Sequence, residues 1–278
     1  MADGPNSWPR FWVGLSVGAL LGATGFALVS ELYKGGHGPP AEGGRPGAGV
    51  DASAAPAPAA GGGGESGEAG ARGAYEEIAP ESAYGLRLAH LKGFLLIAEK
   101  LRAAGALAEA GALVGQGKLE AFTPVATMFA AAGLGDLAAA LEDTEAALFD
   151  GRPDAAGRLR ALLARLDAAA VADRARPQDV AYGMTRIAEG LYAGVVTPEG
   201  VDPVEYQHAY GAALSAADAF AMAQGKLKRI DAARTARAHR EIEAFLALFP
   251  APVAPDAPVA ASLVTAQASR VELALSGF

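Results

Sequence analysis

The chain has no cysteine among its 278 residues. That excludes a disulfide framework, a thiolate zinc site, an iron–sulfur cluster and a cysteine nucleophile. Aromatic residues are scarce at 7%, and charged residues make up only 19%. The 23 Lys and Arg against 31 Asp and Glu leave a net charge of −8. An acidic chain of this kind lacks the basic surface that neutralises phosphates, so nucleic acid is not an expected partner. Strand signals are equally thin, with no sustained β-branched alternation and no Asn-Gly or Asp-Gly turn between alternating apolar runs. There is no G-x-x-x-x-G-K-[ST], no H-E-x-x-H and no G-x-G-x-x-G following a strand pattern. Four histidines leave few general bases near neutral pH.

What is present divides the chain into three zones. Phe11 to Ser30 is a run of 20 residues without a charge. At 1.5 Å per residue it spans roughly the 30 Å of a bilayer's hydrocarbon core. Trp8, Phe11 and Trp12 flank one end and Tyr33 the other, where amphipathic rings favour the headgroup layer. The run exceeds the apolar stretch of a signal peptide, and its best small-residue site, Gly25-Phe26-Ala27, falls inside it. Residues 1–34 are therefore read as a tail and a single transmembrane anchor. Residues 35–74 carry almost no large apolar side chain, cannot offset the entropy of ordering, and are read as a disordered Gly/Pro/Ala linker. Residues 75–278 are left as the one packed domain. A short N-terminal tail before a large following domain suits a signal-anchor with its bulk translocated. The 69 alanines and the excess of Arg over Lys suggest a GC-rich bacterial genome. The expected location is a bacterial inner membrane, with the bulk domain periplasmic.

The domain reads as all-α, an alanine-rich multi-helix bundle or helical-hairpin array. Ser82–Ala104 carries a broad apolar arc ending at Gly105, a C′ stop. Helices follow over residues 107–114, after Thr123-Pro124 as cap and N1, and over 134–149 and 153–172. Another begins at Pro177, and a long tract runs from Pro203 to Phe249 with Gly225 as its weak point. The run Pro250–Pro258 is a loop, and a last helix covers 259–275. The segment LRAAGALAEAGA at 101–112 resembles one TPR-type hairpin but has no second copy at that period, so a generic bundle is the reading.

Four constellations carry chemistry. Gly14, Gly18 and Gly22 lie on one face of the anchor, the spacing that lets two transmembrane backbones approach and self-associate or pair with a partner. Glu205 and His208 form a Glu-x-x-His, of which di-iron bundles use two. On a helical wheel both fall away from the face made by Tyr206, Tyr210 and Phe220, and are expected to be solvated. His90 lies inside its helix's apolar arc, so it must be hydrogen-bonded, ligate something or line a cavity. With His239 and Glu241 or Glu243 it would form a metal site. Lys226, Arg229, Arg237 and Arg240 make a basic face fit for anionic headgroups or an acidic partner. The expected function is a membrane-anchored binding, scaffold or accessory subunit of an envelope complex. The alternative is a tethered metal- or cofactor-binding bundle, with no particular cofactor indicated.

Overall fold

Glycine ends three helices of this chain by one device. In the computed structural model, which describes residues 72–173 and 175–278, Gly105, Gly133 and Gly151 have φ of 86°, 80° and 62°. The residue after each glycine donates to a carbonyl five positions back: Ala106 to Leu101, Leu134 to Phe129 and Arg152 to Ala147, all at 2.9 Å. This Schellman closure needs a left-handed residue, which glycine adopts without a Cβ penalty. Proline marks two helix starts, at Pro177 and Pro203, where its missing N–H costs nothing. Before the second, Asp202 Oδ1 accepts from Val204 N at 2.8 Å and Glu205 N at 3.1 Å. This cap satisfies two orphan donors.

The described residues are all-α and bundle-like. The helices are α1 (Ala83–Ala103), α2 (Leu107–Gln116), α3 (Ala126–Ala131), α4 (Leu137–Phe149) and α5 (Ala155–Ala172), then α6 (Pro177–Tyr192), α7 (Pro203–Ile230), α8 (Ala232–Leu246) and α9 (Ala261–Leu275). Residues 72–77 are also helical, and Ala74, read from sequence as linker, is buried. A π-helical segment, Gly117–Phe122, and a 3-10 turn, Thr123–Val125, join α2 to α3. The loop between α6 and α7 closes as β1 (Val196–Thr197) against β2 (Gly200–Val201), antiparallel.

Helix α7 is the axis of the fold and packs against α1, α6 and α8. Its crossing with α1 is set by glycine. A Cβ added to Gly211 would meet the Gly93 carbonyl oxygen at 2.7 Å, and one added to Gly93 would meet the Gly211 oxygen at 2.9 Å. Backbone touches backbone there, as small residues permit. One turn away Ser215 Oγ donates to Ala89 O at 2.6 Å, so the two helices run antiparallel. Leu91, Leu95 and Ile97 of α1 are fully buried, each worth roughly 1.5–3 kcal/mol relative to exposure.

Two sequence expectations change. Thr123 does not cap a helix; its hydroxyl donates back to Lys118 O at 2.7 Å and tightens the π segment. The long tract breaks at Asp231, not at Gly225, which stays inside α7. Asp231 is extended, with φ −152° and ψ 102°, and its carboxylate caps α8 by accepting from Arg234 N at 2.9 Å. An interior glycine costs a helix only about 1 kcal/mol, whereas an aspartate gains an N-cap by breaking it. The anchor Phe11–Ser30, with Gly14, Gly18 and Gly22, lies outside the described residues, as does the linker up to residue 71. Among the described residues no helix is long and apolar enough to cross a membrane.

Candidate binding cleft

An open cleft of about 1070 Å³ lies between residues 72–76, α1, the π segment and the start of α7. Its floor is aromatic. Gly117 sits where a Cβ would meet Phe94 Cβ at 2.8 Å, so the π segment closes directly onto that phenyl ring. The Phe94 ring stands 5.3 Å from the His90 ring and edge-on at 4.9 Å to that of His208. Both histidines are buried.

Each histidine is held by one side chain. Tyr75 Oη and His90 Nδ1 are hydrogen-bonded at 2.5 Å, a contact in which the phenol donates to a ring protonated on Nε2 or accepts from one protonated on Nδ1. The Arg87 guanidinium lies 3.4 Å above the centre of the Tyr75 ring and holds the phenol in turn. Burial pushes the Tyr75 phenol up to about 12. Burial, helped by His208 and Arg87, holds His90 down at about 3, and burial likewise lowers His208 to about 4. Neutral His208 donates from Nε2 to Gln116 Oε1 at 2.9 Å, leaving Nδ1 as an acceptor. The cleft thus has a floor of two uncharged imidazoles and a phenyl ring. Its walls carry Arg72 and Arg87 together with Glu76, Glu120, Asp202 and Glu205, and Leu119 and Val204 form an exposed apolar rim.

The expectation for Glu205 and His208 is therefore corrected: both are buried, because α7 is covered on more than the face that carries Tyr206 and Tyr210. His90 is buried, hydrogen-bonded to Tyr75 and part of the cleft lining, two of the three outcomes its position in the apolar arc allows. Its histidine neighbour is His208 and not His239. His239 sits on α8, half-exposed, stacked on Phe220 with centroids 6.1 Å apart and 3.9 Å from Glu243 Oε1. Among the described residues no group of three His, Asp or Glu side chains is arranged to hold a metal. Lys226, Arg229, Arg237 and Arg240 are exposed, but they stand on two helices separated by the break at Asp231.

Sequence reasoning missed Tyr75, placed at the linker's edge, and Lys92. The Lys92 side chain is 7% exposed, yet it bridges α1 to Asp167 of α5 and to Asp218 of α7, the latter at 2.5 Å. Burial pulls its pKa down, but hydrogen bonds and charge from the two aspartates outweigh burial and raise it. No signal in the sequence singles out this lysine, since a lysine on a helix reads as surface.

Comparison with protein-family models, with curated proteins and with solved structures gives no match.

Proposed function

We propose that the chain is a membrane-tethered binding or scaffold subunit whose helical domain engages its partner through this cleft. Residues 11–30 serve as the anchor, with Gly14, Gly18 and Gly22 as its association face, and residues 35–71 as the spacer. The setting is a bacterial inner membrane, with the domain on the periplasmic side. The observation that carries the reading is the cleft itself: a large concave surface with an aromatic floor, convergent polar groups and an exposed apolar rim, the usual composition of a recognition site. Its two histidines are neutral and already oriented, so the floor itself adds no charge to desolvate when a ligand enters.

The experiment is affinity isolation of the tagged full chain beside a Leu119→Asp/Val204→Asp variant. Both positions are exposed rim residues, so the variant keeps its fold. A specific membrane-protein partner recovered with the natural chain and depleted at least tenfold with the variant supports the reading. Equal recovery by both chains, or none above an untagged control, rejects the cleft as the binding face. Elemental analysis of the same preparation decides the metal-binding alternative, which requires stoichiometric metal that is lost with His90→Ala.

A further inference from the structure

We propose that the corner between α7 and α8 docks on the surface of an anionic lipid bilayer. The chain reverses at Asp231: Phe220, eleven residues before it, stacks on His239, eight residues after it, so α8 folds back along α7. The reversal makes the last turn of α7 and the first turns of α8 the tip of a helical hairpin. Lys226, Lys228, Arg229 and Arg237 all stand within about two turns of that tip and are exposed. No salt bridge to a carboxylate is formed by any of them among the described residues. Arg234, between them, is occupied otherwise: it donates to Gly277 O, lies over the Phe278 ring and stands 3.9 Å from Asp231 Oδ2.

At the apex Ile230 is 62% exposed. An exposed isoleucine with four exposed cations on long aliphatic stems within two turns of it, against the one carboxylate of Asp231 at the break, matches a headgroup layer better than it matches the groove of an acidic protein. The side chain enters the acyl boundary while the ammonium and guanidinium groups remain among phosphates. The chain as a whole is acidic, with a net charge of −8 that already includes this cluster. An anionic surface therefore repels the other faces and attracts this one, which sets the domain's orientation. A nucleic acid would meet the same repulsion without a use for Ile230.

The chain's lack of cysteine allows a clean test. A single Ala233→Cys, at an exposed position on α8, carries an environment-sensitive fluorophore in the full chain. The labelled protein is titrated with phosphatidylcholine vesicles and with vesicles of mixed phosphatidylcholine and phosphatidylglycerol. The corner reports an apolar environment only with the anionic vesicles, and the response fades at high salt. Lys226→Gln/Lys228→Gln/Arg229→Gln/Arg237→Gln lowers the docked-to-undocked ratio of the corner on anionic vesicles by about 10²-fold or more, since each cation contributes about fivefold near such a surface. Unchanged helicity by circular dichroism shows that the variant is folded. Equal responses to the two vesicle types, an unaffected quadruple variant, or a response to polyglutamate or RNA in place of lipid would each overturn the proposal.

Discussion

His90 and Lys92 stand two residues apart on α1 and bury their nitrogens by opposite means. Lys92 keeps its charge, since Asp167 and Asp218 reach it from two other helices and more than offset the loss of water. His90 gives up its charge, because Tyr75 satisfies the neutral ring and nothing nearby stabilises an imidazolium. The space around them differs in the same sense. Beside Lys92 lies a pocket of about 40 Å³, whereas His90 faces the cleft of about 1070 Å³. One side of the α1–α7 pair is thus a narrow seam held by charge, and the other is an open cleft whose charged side chains stand on its walls while its histidine floor stays neutral. The difference teaches that burial alone does not mark a binding site in this fold. What sets the candidate cleft apart is a buried ring without a counter-charge next to open volume.

The largest expected effect comes from pH. The folded pKa values of His90 and His208 lie below the unfolded value near 6.5, so the unfolded chain takes up protons first as pH falls. Their contribution to stability is complete above about pH 6.5 and declines as pH falls toward their folded values of about 3 and 4. Lowering the pH from 7.5 to 5 should cost roughly 2 kcal/mol per histidine, about 4 in all. Urea unfolding across that range measures this, and His208→Gln should remove about half of the dependence. A flat profile would place both imidazoles in water and erase the contrast with Lys92.

A smaller effect tests the closed side. Asp167→Asn/Asp218→Asn leaves the buried ammonium without a counter-charge and should cost about 3 kcal/mol. Lys92→Met should cost about 1 kcal/mol or less, because Asp167 and Asp218 are 54% and 38% exposed and rehydrate once the lysine is gone. Equal losses for the two variants would show that the seam depends on packing and not on a paired charge.

Much of this fold is legible in the sequence, because its helix ends are written in residues with local mechanisms. Gly105, Pro177 and Pro203 act through their own backbone geometry, and each does so where the sequence places it. Asp231 is less visible, because an aspartate inside a helical pattern resembles any exposed acid until its carboxylate finds Arg234 N. The cleft is half legible. His90 announces itself as a polar ring in an apolar arc. His208 does not, because a wheel projection assumes one buried face and α7 has several. Lys92 lies further out of reach, since its burial depends on aspartates contributed by α5 and α7, 75 and 126 residues away.

The most direct test of the account is the titration of the two imidazoles themselves, followed by ¹⁵N NMR of the histidine-labelled full chain. The account predicts that His90 and His208 both stay neutral down to pH 5, with the His208 proton on Nε2 as Gln116 Oε1 requires. Titration of either ring near the ordinary value of 6.5, or a proton on His208 Nδ1, would contradict it.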